Sequence, residues 1–139
     1  MKAPPAQKTI LLPLFYKKLL QTDVTTNAIY IDVDLPQAAD WGPYLESIVA
    51  HTQTESATSN FTWKIGFYWS FDGRKWNPAT NPVDLFSAIT SNDDAIQTPY
   101  TTTAQLGMKL RFVIVVASSN AGAVERGICG CALAFNFKS

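Results

Sequence analysis

The sequence predicts an all-β protein, an antiparallel sandwich of two sheets with about eight strands and jelly-roll-like connections. Alternation of apolar and polar residues recurs along the chain, whereas the spacing typical of helices is nearly absent. Polar stretches rich in Ser, Thr, Asn and Gly separate the alternating segments, as loops between strands would. The 139 residues fit one domain. We expect an N-terminal arm at residues 1–8 and a single sandwich at residues 9–139, whose strand order stays open between jelly-roll-like and immunoglobulin-like connections.

The N-terminal stretch MKAPPAQKTILLPLFYKK predicts an arm followed by a strand at residues 9–16. Its apolar run is interrupted by Pro13 and followed by Lys17 and Lys18 instead of a small-residue cleavage site, so it does not resemble a signal peptide. No stretch approaches the ~20 apolar residues of a membrane span. We therefore expect synthesis in the cytoplasm without a signal peptide, and no membrane partner.

Alternation also predicts which face of each strand is buried. A further strand is expected around residues 45–53, with less clear faces. The inward faces are expected to carry Ile29, Ile31, Val33 and Leu35; Phe61, Trp63, Ile65, Phe67, Trp69 and Phe71; Leu110, Phe112, Ile114 and Val116; and Cys129, Cys131, Leu133, Phe135 and Phe137.

The last of these strands has two properties of its own. Cys129 and Cys131 point to one face with Cα atoms about 6.6 Å apart, a poor geometry for a disulfide, so two buried free thiols are expected. The opposite face carries Gly130, Ala132 and Ala134, whose small side chains permit close approach of another surface.

Three polar stretches are expected to be loops: TQTESATSN, TSNDDAIQTPYTTTAQLG and SSNAGAVERG. The second is long enough to be functional or to form an interface. The segment PVDLFSAI is expected to hold one helical turn.

The stretch YWSFDGRKWNP, residues 68–78, places an Asp-Gly pair between aromatic residues. If Asp72 and Gly73 form a two-residue type I′ turn, Trp69 faces Trp76 and both tryptophans lie in the core. We favour this register, because the inward rings of the preceding strand need large partners.

The alternative is a three-residue loop at residues 71–73 with a Gly bulge. Tyr68 then faces Trp76 on the outer side, and two adjacent rings are exposed as on a carbohydrate-binding surface. Trp41 and Tyr44, in the stretch DWGPY, are the other candidates for such a surface. The candidate ligand or partner surface is therefore Tyr68, Trp76, Trp41 and Tyr44.

No arrangement of residues predicts catalysis, a cofactor or a metal site. His51 is the only histidine and has no recognisable catalytic partner in the sequence. Asp32 and Asp34 share one strand face, with a separation that glycosidase carboxylates or a weak calcium site could use. We expect instead that they are solvated or paired with Lys and Arg. The sequence therefore favours a protein that is not an enzyme.

The charge pattern argues against nucleic acid as a partner. Eleven basic and eleven acidic residues give a net charge of zero, and no Lys/Arg cluster exceeds the pair at residues 17 and 18. Only 16% of residues are charged, so the surface relies on hydroxyl and amide groups, which are less costly to bury than ions. Such a surface suits a subunit inside an assembly.

A strand ending in SFDGRKW, a long polar stretch, LRFVIVVAS and a terminal apolar strand together resemble small β-sandwich structural proteins of tailed bacteriophages. The similarity covers roughly residues 61–137 and transfers no catalytic residue. It implies a virion component, such as a capsid decoration or head- or tail-associated protein, that forms homo-oligomers and contacts capsid or tail proteins. The Asp-Gly hairpin is also similar to hairpins of discoidin-like and other carbohydrate-binding modules, which implies a glycan as the alternative partner.

Overall fold

Nine β-strands form the regular structure of residues 8–20, 29–35, 44–58, 60–90, 92–102, 108–118 and 125–138, the part of the chain described by the computed structural model. The strands are β1 (Lys8–Leu20), β2 (Ile29–Asp34), β3 (Tyr44–Glu55), β4 (Phe61–Ser70), β5 (Val83–Asp84), β6 (Asp93–Ile96), β7 (Tyr100–Thr101), β8 (Lys109–Ser118) and β9 (Arg126–Lys138). The predicted all-β class is confirmed. Residues 1–7 of the predicted arm lie outside the described residues.

The strands form two antiparallel sheets. In the first sheet the order is β1-β9-β3-β6, with β7 also pairing with β3; in the second sheet it is β2-β8-β4-β5. The pairs β1 with β9, β2 with β8, β3 with β6 and β7, and β4 with β5 are nested inside one another along the sequence. The chain is thus one long antiparallel ribbon wound into two sheets, which is the jelly-roll arrangement and settles the strand order that the sequence left open.

The core lies between the inner faces of the two sheets, where the predicted alternation is confirmed along the strands. Phe71, predicted to face inward, lies beyond the end of β4 and is 72% exposed, so that prediction is wrong. The inward residues of β4, β8 and β9 are buried, with Trp63, Ile65, Phe112 and Leu133 at 0–1% exposure. Aromatic rings join the sheets: Phe67 of the second sheet contacts Tyr100 of the first edge to face, with ring centroids 5.1 Å apart. Trp69 packs against this core but is only partly buried.

Three expectations for the segments between the long strands are wrong. The long polar stretch at residues 90–107 contains β6 and β7, which pair with β3 at the edge of the first sheet, and β3 itself continues to Glu55. The segment PVDLFSAI forms the short strand β5 and bends, without a helical turn. These strands are too short to show a marked alternation in their own sequence. Backbone pairing with β3 and β4 holds them in place.

Candidate functional site

The loop after β4 determines where the candidate aromatic residues lie. Trp69 and Asn77 exchange two backbone hydrogen bonds, each 2.9 Å long, so the loop between the paired residues spans residues 70–76. Both predicted turn registers, of two and three residues, are therefore wrong.

The side chain of Asp72 explains the wider loop. Its Oδ1 accepts hydrogen bonds from the backbone N–H groups of Arg74 (2.8 Å) and Lys75 (3.0 Å), while Ser70 Oγ accepts one from Gly73 (2.9 Å). The same N–H groups of Lys75 and Arg74, together with Ser70, lower the pKa of the Asp72 carboxyl. Gly73 has φ = 74°, as a turn glycine should, but within a loop closed by side-chain hydrogen bonds.

Trp76 lies outside the core, so the favoured prediction for this residue is wrong. Its ring stacks on the guanidinium of Arg111, with Cζ 4.2 Å from the ring centroid, and Tyr30 contacts the same guanidinium at 5.2 Å. Arg111 projects from the outer face of β8, opposite the buried Phe112, and donates two hydrogen bonds to Asp32, of 2.8 and 2.9 Å. A cation held between two rings is thus the centre of the outer face of the second sheet.

Replacing Trp76 by Ala should therefore destabilise the protein less than truncating a buried core side chain. We expect Trp76→Ala to lower the free energy of unfolding by about 1–2 kcal/mol, the range of a cation–π contact plus lost apolar burial. Chemical denaturation of this variant measures the effect, and Lys75→Ala, in the same loop, is the matched control. A loss as large as that of a buried tryptophan would contradict the outer position.

The four candidate surface residues do not form one site. Tyr68 lies directly opposite Arg111 in the β4–β8 register, is partly buried and donates a long hydrogen bond (3.5 Å) to the carbonyl of Thr80. Tyr44 begins β3 in the other sheet, opposite Lys138 of β9. Trp41 lies outside the described residues. Of the three that the structure describes, Tyr68 and Trp76 share a face.

Two residues that complete this face, Tyr30 and Arg111, were not among the predicted site residues. Tyr30 is about half exposed, and Arg111 joins it to Trp76 and Asp32. The sequence could have indicated the pairing of Asp32 with Arg111, since the two residues have opposite charges and each lies on the outer face of its own strand.

The carboxylates of Asp32 and Asp34 are paired with cations, as expected. Arg111 binds Asp32, and Lys109 donates a 2.9 Å hydrogen bond to Asp34. The hydrogen bonds from Arg111 lower the pKa of Asp32, so this carboxylate is not suited to general-acid catalysis near neutral pH. Among the described residues, no group of three or more His, Cys, Asp and Glu side chains is placed to hold a metal ion.

The two thiols and the histidine are also accounted for. Cys129 and Cys131 are buried and free, which confirms the prediction, and burial raises the pKa of each thiol to about 12. They are therefore poor nucleophiles in the folded protein. His51 is exposed on the outer face of β3.

The small-residue face of β9 is only partly open. The ring of Tyr16 covers Gly130, because a Cβ built on this glycine would lie 2.7 Å from Tyr16 Cδ2. Ala132 remains partly exposed and lines a shallow groove of about 490 Å³ together with Pro13, His51 and Ile96. The small residues thus form the floor of a groove on the outer face of the first sheet.

The nested strand order and the aromatic interior define a jelly-roll β-sandwich.

Among the described residues, no helix has the length and apolar character needed to span a membrane. No protein-family model matches the sequence, and no curated protein is similar to it in sequence at a significant level.

The fold is similar to those of solved proteins from virus particles. The crystal structure of the VP2 subviral particle of infectious bursal disease virus matches with a TM-score of 0.58 and 14% identity over 98% of this chain and 33% of that one. The structure of the Gx strain of the same virus matches with a TM-score of 0.55 and 8% identity, over 96% of this chain and 32% of that one. The T13 viral particle matches with a TM-score of 0.51 and 11% identity, over 98% of this chain and 32% of that one. The chain spans about a third of the length of these proteins, and the likeness concerns the fold.

Proposed function

We propose that this protein is a non-enzymatic structural subunit of a virus particle and acts through protein–protein contacts. The observation that carries the proposal is the jelly-roll strand order, matched over 98% of the chain by a protein of a subviral particle. Because one fold can host many functions, the surface chemistry must agree with this assignment.

The surface chemistry supports assembly over catalysis. The candidate carboxylates are paired with Arg111 and Lys109, and the thiols are buried. The surface has few charges, which keeps the cost of burying it against a neighbour low. Each candidate group thus has a structural explanation that does not require a reaction.

The finer assignment is to a tailed bacteriophage, as a capsid decoration or head- or tail-associated protein. The similarity of residues 61–137 to small phage structural proteins supports it. The protein would then be located in the virion after synthesis in the host cytoplasm, with its own copies and capsid or tail proteins as partners. The sequence of residues 1–7, with its two prolines, would suit an arm that precedes β1 and extends onto a neighbour.

Co-sedimentation tests this function. We expect the protein, produced together with the structural genes that accompany its own, to sediment with assembled particles in a fixed copy number on a sucrose gradient. A variant lacking residues 2–8 should be incorporated less, and Lys75→Ala should be incorporated like the wild type. Particles that form without the protein, while it stays at the top of the gradient, would overturn the proposal.

The second candidate is a carbohydrate-binding module, which the outer position of Trp76 and Tyr68 favours. Aromatic rings on an outer face beside a charged hydrogen-bonding group suit a sugar ring, and Tyr30 adds a third, more exposed ring. Arg111 already occupies one face of Trp76, which leaves less of that ring for a ligand. A glycan array probed with the wild type and with Trp76→Ala tests this function. Binding by the wild type that is lost in a stably folded Trp76→Ala variant supports a carbohydrate-binding module. A wild type that binds none of the glycans excludes such a module for the glycans tested.

A further inference from the structure

The outer face of the first sheet carries most of the large exposed apolar side chains. Of the five such residues in the described part of the chain, three lie on this face: Leu11 (74% exposed), Tyr16 (59%) and Ile96 (69%). Contiguous exposed apolar surface on a soluble domain commonly marks an interaction site. The groove floored by Ala132 is lined by two of them, Tyr16 and Ile96.

Strand register orders this face into rows that cross the sheet from β1 to β3 or β6, and four consecutive rows contain its large exposed apolar side chains. In order along the strands, these four rows are Lys18, Ile128 and Glu55; Tyr16, Gly130, Gln53 and Asp94; Pro13, Ala132, His51 and Ile96; and Leu11, Ala134 and Val49. β9 crosses all four and contributes only small or aliphatic residues to them, whereas Arg126 and Asn136 of β9 lie beyond them, one at each end.

Charge is divided between the two sides of the face. Lys18 is exposed on the β1 side, whereas Glu55 and Asp94 are exposed on the β3 and β6 side. Tyr16 donates a 3.2 Å hydrogen bond to Glu55, so this carboxylate is held over the face. None of the three ion pairs among the described residues involves Lys18, Glu55 or Asp94. The face therefore has an apolar centre, a positive side and a negative side.

We propose that this face packs against the same face of a second copy, about a two-fold axis running nearly parallel to β9. Such a rotation superposes the β1 side of one copy on the β3 and β6 side of the other, so Lys18 meets Glu55 of the second copy twice. Ile128, Ala132 and the other β9 residues meet their own counterparts. The inference names a second copy as partner of this face and rests on the proposed assembly function.

The direction of the axis follows from the chemistry of the rows. An axis perpendicular to the strands would superpose the row of Lys18 and Glu55 on the row of Leu11 and Val49, burying charge against apolar side chains. The parallel axis instead matches opposite charges and apolar surfaces. Sheets that pack face to face cross at about 30°, which an axis inclined by about 15° to β9 produces.

The size of the face predicts a weak dimer. Four strands spaced about 4.8 Å apart and about eight residues long give a footprint of roughly 400–500 Å². A stable dimer needs roughly 800 Å² from each copy. We therefore expect the isolated protein to be half dimeric between roughly 10 µM and 1 mM, with further contacts strengthening the association in an assembly.

Charge reversal tests the arrangement by sedimentation equilibrium between 10 µM and 1 mM. Lys18→Glu and Glu55→Lys should each weaken self-association at least about tenfold, because each places like charges together twice. An equimolar mixture of the two variants should associate like the wild type. In the mixed dimer the new carboxylate faces the new ammonium, and the unchanged Lys18 and Glu55 face each other. Lys75→Glu, on the loop after β4, makes the same charge change away from the face and should leave association unchanged.

Three results would overturn the dimer: a wild type that stays monomeric at 1 mM, a Lys75→Glu variant that weakens association as much as Lys18→Glu, or a mixture that does not recover. Unchanged thermal unfolding of the two variants shows that the fold is kept. Incorporation into particles by a protein that never self-associates would overturn the dimer and leave the proposed function standing. Self-association with no incorporation into any particle would overturn the proposed function and leave the dimer standing.

Discussion

Replacing Trp63 by Ala is expected to lower the free energy of unfolding by about 3–5 kcal/mol, the usual cost of deleting a buried tryptophan. Trp63 is fully buried near the start of β4 and contacts Phe15 (5.7 Å between ring centroids) and Phe86 (5.6 Å) edge to face. Its indole N–H donates a 2.8 Å hydrogen bond to Thr54 of the first sheet. The side chain thus joins the two sheets by packing and by a hydrogen bond.

Urea denaturation followed by circular dichroism measures this loss. Trp63→Phe separates the two contributions, since it keeps most of the ring packing but leaves Thr54 without its donor. We expect it to be destabilised less than Trp63→Ala. Trp76→Ala is the matched control for removing a tryptophan outside the core. If Trp63→Ala unfolds at the wild-type denaturant concentration, the assigned burial is wrong.

Replacing Gly66 by Val is expected to destabilise the protein by about 1–3 kcal/mol through overpacking. Gly66 faces outward in β4, where a Cβ would lie 2.8 Å from both Cβ and Cγ of Pro82 and 3.4 Å from the carbonyl oxygen of Val83. The rigid proline ring cannot move aside without displacing β5, which pairs with β4 at this point. The absence of a side chain therefore lets Pro82 pack closely against β4, beside the edge strand β5.

Gly130→Val is the matched control, because its added Cβ meets the exposed ring of Tyr16, which can rotate into solvent. We expect a smaller loss of stability for Gly130 than for Gly66. Thermal unfolding of both variants gives the comparison, and hydrogen exchange at residues 83–84 reports the displacement of β5. Equal stability losses at the two glycines would show that Pro82 yields as readily as an exposed ring.

Alternation of apolar and polar residues was enough to predict the fold class and the buried faces of the long strands. Successive side chains of a strand point to opposite sides, so a run such as Phe61, Trp63, Ile65 and Phe67 identifies its inner face without knowledge of any neighbour. The same local rule placed Cys129 and Cys131 together in the core. The short strands β5, β6 and β7 were missed because hydrogen bonds to β3 and β4, not their own alternation, hold them.

The contacts among surface residues could not be predicted in this way. The hydrogen bonds of the Asp72 side chain widen the loop after β4, and this moves Trp76 from the predicted core position to the outer face. Arg111 reaches Trp76 and Asp32 because β8 lies between β2 and β4, an order set by the nested pairing of strands far apart in sequence. Lys18 and Glu55 share a row for the same reason, with β9 between their strands. Contacts within a strand follow from local geometry, whereas contacts between strands depend on order and register, which the whole chain determines.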